Sequence, residues 1–213
     1  MDGIINPKVK EYVENRISFP ELKDMETYAH ANYVPIVMKD AGEFLRFMVS
    51  TEKPRQILEL GTAIGYSSIL MSLNSPLSFI TTVERSEEMR DMAEENIKKF
   101  GLDERIKVVL SECDEFLRNC EQSYDFIFID AGKSHYMEYL DLCLPRLNPN
   151  GIILCDNVLY KGLVAYETVA RKHRTNVVKL QEFMDYVYGR NDLILSTLTV
   201  GDGMLLIRRK QDE

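Results

Sequence analysis

From Pro54 onward, short β-rich runs alternate with helical stretches. No other feature of the chain constrains its fold as tightly. The runs are Gln56–Glu59, Phe79–Glu84, Ile106–Ser111, Tyr124–Asp130 and Gly151–Asp156. Helical patterns fill the gaps near Gly65–Leu73, Glu87–Phe100, Asp114–Asn119 and His135–Leu144. Such alternation predicts βαβ units with right-handed crossovers and a parallel sheet covered by helices on both faces. The end of the chain breaks the pattern. A helix near Asn176–Tyr188 leads to "LILSTLTV", the turn "GDG" and "MLLIRR". Two apolar runs about a glycine turn read as a β-hairpin, so one strand runs against the others.

The first 52 residues read as helical, with "VPIVMK" as an extended interruption. Val9, Tyr12, Val13 and Ile17 fall near one helical face, and Leu22, Met25, Tyr28 and Ala29 form a second stripe. We expect one domain over 1–213, with a helical lid over 1–52 and an α/β core over 53–213.

Composition excludes several classes. The chain has 213 residues, 45% hydrophobic and 28% charged, which suits an ordinary globular domain with a real core. No apolar run is long enough to cross a membrane as a helix, and the opening "MDGIINPKVKEY" lacks a signal peptide's apolar region. Cys113, Cys120, Cys143 and Cys155 lack metal-ligand spacing and read as reduced cytoplasmic thiols. A net charge of −8 argues against indiscriminate nucleic-acid binding and leaves room for a local basic patch.

In open α/β sheets, ligands bind outside the carboxyl ends of the strands. Acids gather there: Glu59, Glu84, Glu112, Asp130 and Asp156. The first turn, "LELGTAIGYSS", has Gly61 and Gly65 four apart. It lacks the third glycine of a dinucleotide fingerprint and the Lys-Ser/Thr of a P-loop. Glycines permit a tight turn and a close backbone approach by a ligand. Glu84, ending the second strand about 20 residues on, can accept hydrogen bonds from ribose hydroxyls. An adenosine-type ligand follows. NAD brings a pyrophosphate and favours the tighter glycine motif, whereas S-adenosylmethionine (SAM) has no phosphate and needs only a looser turn. A dehydrogenase and a non-catalytic nucleotide-binding module stay open at this point.

Asp130, Asp156 and Asn157 offer three oxygen ligands from two strand ends, a set suited to Mg²⁺ or Mn²⁺. Lys133, three residues past Asp130, is a candidate general base. "YAHANYVPI", with His30, Tyr33, Pro35 and Val37 ahead of Met38 and Lys39, reads as a packed lid. "ARKHR" at 170–174 is the one dense basic cluster, and Gly201-Asp202-Gly203 reads as a simple hairpin turn.

The segments "LELGTAIGYSS", "VER", "YDFIFIDAGKSHY", "GIILCDNVLYKG" and "VGDG" resemble the metal-dependent O-methyltransferases of catechol and caffeoyl-CoA. The resemblance covers nearly the whole chain. Within it, "YAHANYVPI", "GTAIGYS" and "DNVLYKGLV" look closest to the bacterial tRNA 5-hydroxyuridine methyltransferases. It implies a class I, Rossmann-like sheet of seven strands, mostly parallel, ending in the hairpin. It implies SAM as cofactor, near Val37, Gly61, Ser67, Glu84, Cys113 and Asp130. It implies a divalent metal on Asp130, Asp156 and Asn157, with Lys133 deprotonating the acceptor, and it implies a homodimer. The acceptor becomes a tRNA anticodon-loop base, or alternatively a small phenol or catechol. Lys161, Arg171, Lys172, Arg174 and Arg190 are the candidate phosphate contacts. Two positions depart from the pattern. Ser111-Glu112-Cys113 replaces the usual GDA, and Ser196 stands where the animal catechol enzyme has a second substrate-gripping acid.

Overall fold

The computed structural model describes residues 6–210. One seven-stranded sheet runs in the order β3-β2-β1-β4-β5-β7-β6. Its strands are β1 (Gln56–Leu60), β2 (Phe79–Glu84), β3 (Ile106–Leu110), β4 (Tyr124–Ile129), β5 (Leu147–Cys155), β6 (Leu193–Leu198) and β7 (Met204–Arg209). The first five pair in parallel, and β7 pairs antiparallel with both β5 and β6. This is the class I methyltransferase sheet. The order reverses between β1 and β4, and that switch opens a crevice at their carboxyl ends.

The helices are α1 (Pro7–Glu14), α2 (Lys23–Asn32), α3 (Lys39–Glu52), α4 (Tyr66–Asn74), α5 (Glu87–Lys99), α6 (Cys113–Asn119), α7 (Tyr136–Cys143) and α8 (Arg171–Tyr188). Central strands read as unbroken apolar runs because both faces are covered, and Phe126–Ile129 is wholly buried. The N-terminal helices are part of this core. Leu22, Met25, Ala41, Leu45 and Val49 share one apolar cluster with Ile57, Ile69 and Phe126. A second cluster packs α7 and α8 on the other face, with Tyr136 meeting Phe183 edge-on.

Three expectations need correction. The α1 stripe is not buried: Val9, Tyr12 and Val13 are 51%, 61% and 40% exposed, and only Ile17 beyond the helix enters the core. Tyr28 is likewise exposed, so the α2 face narrows to Met25 and Ala29. The last helix begins at Arg171, five residues before Asn176, because its first turn is polar and carries no apolar period.

Candidate active site

The sheet register brings the site together. Leu60 pairs with Ile129, and Ile129 with Cys155. The ladder then runs one residue beyond the strands, as the Asp130 N–H donates to the Leu60 carbonyl (2.9 Å) and the Asp156 N–H to that of Ile129 (3.0 Å). Two carboxylates from separate strands therefore lie side by side above the switch point. Gly61 makes this possible. Its φ is +100°, and a Cβ there would stand on the Asp130 carbonyl, 2.9 Å from its carbon. No other residue lets β1 turn so close to β4.

A cavity of about 560 Å³ opens over these strand ends. Val37, Gly61, Ser67, Glu84, Cys113, Asp130, Lys133, Asp156 and Asn157 all line it. Glu84 fixes the turn as well as facing the cavity. Its carboxylate accepts the N–H groups of Ala63 (2.9 Å), Arg85 (3.0 Å) and Ser86 (2.9 Å). The Ala63 bond holds that residue at φ 45°, a left-handed conformation costly for a side chain.

Glu59 departs from expectation. It is an interior residue of β1, fully buried, and does not face the cavity. Its carboxylate accepts the hydroxyls of Ser67, Ser68 and Thr82, and Thr62 pairs with Thr82 at 2.6 Å. Burial pushes its pKa up, and these hydroxyls hold it down. Ser67 thus lines the cavity while its hydroxyl proton points back into the protein.

The paired aspartates are electrostatically strained. Burial first, and then repulsion from Asp130, raise the Asp156 carboxyl above the ordinary range. Burial also raises Asp130, with Lys133 opposing at 3.9 Å and Glu59 adding to the rise. One Asp156 oxygen accepts the Asn157 N–H (2.6 Å), whereas Oδ2 is buried without a hydrogen-bond partner. A buried, unpartnered carboxylate oxygen is costly and calls for a proton or a cation. Among the described residues no three His, Cys, Asp or Glu side chains come together, so a hard cation here would take two carboxylates and the Asn157 amide. That all-oxygen set fits Mg²⁺ or Mn²⁺.

The Asn157 loop is buttressed by the hairpin turn. Val158 and Leu159 donate to the carbonyls of Gly203 and Asp202 (both 3.0 Å), and the Lys161 N–H donates to the Asp202 carboxylate. Gly201 in turn donates to Asp40 at the start of α3 (2.9 Å). A Cβ on Gly203 would come within 2.6 Å of Leu159 Cβ. The "GDG" segment is therefore more than a turn, since it sets the loop that carries Asn157.

The O-methyltransferase family model matches residues 11–210. The chain belongs to the O-methyltransferase family. A caffeoyl-CoA O-methyltransferase of Stellaria longipes is 32% identical over 178 residues, covering 79% of this chain and 74% of its own. One from Populus kitakamiensis is 28% identical, covering 97% of this chain and 96% of its own. The SAH-bound methyltransferase PaMTH1 of Podospora anserina superposes with a TM-score of 0.87 at 27% identity, covering 96% of this chain and 95% of its own. The protein is a SAM-dependent O-methyltransferase of the catechol and caffeoyl-CoA type.

In this O-methyltransferase, Cys113 sits at the cavity wall as a buried thiol whose pKa burial pushes up to about 12, so it is inert as a nucleophile. The phosphate candidates do not line the cavity. Lys161, Arg171, Lys172 and Arg174 are exposed. Arg190 is a correction: at the far end of α8 it pairs with Asp192 and Asp141 and bonds the Tyr186 hydroxyl, so its guanidinium is committed within the protein. Sequence reasoning passed over Asp40 and Tyr136, took Glu59 for a strand-end acid facing the ligand and took Asp202 for a residue of a simple turn. The Tyr136 hydroxyl is buried and donates to the Asp156 carbonyl at 2.8 Å. The sole signal for Glu59 is an acid inside an apolar strand with hydroxyl residues eight and nine positions on.

Proposed function

We propose that this O-methyltransferase converts 5-hydroxyuridine in tRNA to 5-methoxyuridine, with Mg²⁺ or Mn²⁺ as cofactor beside SAM. The observation that carries the reading is the first turn of α8. Arg171, Lys172 and Arg174 crowd a helix N-terminus that holds no acid, in a chain of net charge −8. Cations there oppose the helix dipole, so they cost stability rather than adding it. A polyanion beside them gains from both the side chains and the helix terminus. The segment Tyr160–Ala165 packs against this helix, Tyr160 meets the His173 ring, and the loop leads directly back to Asn157.

The acceptor chemistry agrees. In 5-hydroxyuridine, the reacting hydroxyl and the 4-carbonyl oxygen are vicinal, as are the oxygens of a catechol. Asp130, Asp156 and Asn157 would hold the divalent cation, which when bound supplies charge that favours ionisation of a hydroxyl. Lys133, in its neutral form, takes the hydroxyl proton. Glu84 keeps acceptor capacity for the ribose hydroxyls of SAM. Val37, Tyr66 and Tyr139 wall the cavity and exclude water from the transfer. Holding both reactants in one site supplies much of the rate.

The competing acceptor is a small phenol or catechol, and the caffeoyl-CoA names of the relatives favour it. Nucleoside mass spectrometry of tRNA from cells lacking the protein decides. Loss of 5-methoxyuridine is expected. Unchanged 5-methoxyuridine, with no second enzyme to account for it, overturns the tRNA reading in favour of the small molecule. The exposed Val9, Tyr12 and Val13 on α1 support a homodimer. Among the described residues, no helix is long and apolar enough to cross a membrane.

A further inference from the structure

We infer that a groove between α2 and the segment 34–39 is a second RNA subsite, which receives a nucleotide next to the modified uridine. The inference rests on tRNA being the acceptor. The groove measures about 590 Å³, which is nucleotide-sized rather than peptide-sized. It shares a wall with the catalytic cavity, for Pro35, Ile36, Val37 and Tyr66 line both. The two spaces are therefore adjacent, and neighbouring nucleotides of one strand can occupy them. A catechol fills only the first.

The lining suits a base and its phosphate. The exposed His30 ring, with Pro35 and Ile36, offers flat apolar surface, and buried Tyr66 closes the floor. Lys23 and Lys39 supply charge, and both are exposed with no ion pair among the described residues. The one lining acid, Glu26, is already engaged by the Tyr66 hydroxyl at 3.0 Å. Single-stranded RNA is bound by this combination, bases on apolar or aromatic faces and phosphates on a cationic edge.

Position completes the argument. Lys39 opens α3, and its neighbour Asp40 accepts the Gly201 N–H. Asp202 of the same turn accepts the Lys161 N–H. One continuous rim thus joins Lys39 to Lys161 and the basic turn of α8. The segment carrying Lys39 thus flanks the 201–203 turn through Asp40, and that carrying Lys161 flanks it through Asp202.

The test compares two acceptors, an anticodon stem–loop carrying 5-hydroxyuridine and the free 5-hydroxyuridine nucleoside. The variants are His30→Ala and the double change Lys23→Glu with Lys39→Glu. An acid at the first position of α3 favours the helix, so a loss in the charge variant cannot be laid to unfolding. The expected result is a KM for the stem–loop raised about 10-fold in each variant, with kcat and nucleoside turnover unchanged. The charge variant also shows a shallower salt dependence. Equal stem–loop KM in variants and wild type overturns the subsite alone. Parallel loss on nucleoside and stem–loop overturns it too, since the lesion then lies in the shared cavity. Wild-type enzyme that methylates the nucleoside or a catechol but never the stem–loop refutes the tRNA reading itself.

Discussion

Replacing Gly61 with alanine tests the geometry on which the site depends. Two penalties combine. At φ +100°, an L-residue carries left-handed strain of about 1–2 kcal/mol. The new methyl also meets backbone on the opposite strand, with the Asp130 carbon at 2.9 Å and the Ala131 nitrogen at 3.3 Å. Backbone cannot rotate aside as a side chain can, so overpacking adds about 1–3 kcal/mol. The sum is roughly 2–5 kcal/mol, which for a chain of this length lowers Tm by roughly 5–15 °C. Gly101→Ala is the control. Its φ is +65° and nothing lies within 4 Å of a Cβ there, so it bears the strain without the clash. Thermal melts of both variants separate the two terms, and SAM titration adds a functional reading. Gly61→Ala should melt well below Gly101→Ala and bind SAM more weakly, because β1 must retreat from Asp130. Equal melting points, or undiminished SAM affinity in Gly61→Ala, would show that the close approach of β1 to β4 does not matter.

Glu84→Gln should weaken SAM binding by about 1.5–3 kcal/mol, the worth of hydrogen bonds to a charged group, measured by isothermal titration. Unchanged affinity removes the ribose role. Between about pH 4 and 8, the cation-free protein should lose stability as pH rises. The raised Asp130 and Asp156 keep protons in the folded state that the unfolded chain has already released, so the unfolded state gains until the folded carboxyls ionise in turn. Millimolar Mg²⁺ should flatten that slope in a melting series, and a slope indifferent to Mg²⁺ argues against a cation there. Asp156→Asn should raise cation-free Tm at pH 8, abolish the Mg²⁺ response and stop turnover while SAM still binds. Lys133→Ala should slow methyl transfer and move its optimum to higher pH, and an unaltered pH–rate profile makes Lys133 a bystander.

The sheet was legible because period and position coincide. Apolar runs such as "FIFI" have one use in a chain of this size, and the acids that follow them mark where the strands end. Strand order, by contrast, is not written in the periodicity and appears only in the structure. Local pattern also misled in both directions. Val9, Tyr12 and Val13 keep helical spacing yet bury nothing in one chain, because spacing specifies a face and not what covers it. Glu59 looked like a strand-end acid because nothing in a linear pattern reports which way a β1 side chain points. Its real surroundings come from Ser67 and Ser68 on α4 and Thr82 on β2, brought together only by the parallel register.

The "GDG" turn carries the same lesson furthest into function. Read alone it closes a hairpin, and read in three dimensions it holds Asp40 on one side and the Asn157 loop on the other. That loop includes left-handed Asn157, Tyr160 and Lys161, conformations that persist only when neighbours impose them. The antiparallel β7 is what brings its turn back over β5 to do so. A parallel strand in that place would have sent its connection to the opposite end of the sheet. The hairpin that sets this sheet apart from an all-parallel one therefore also sets the edge of the acceptor site.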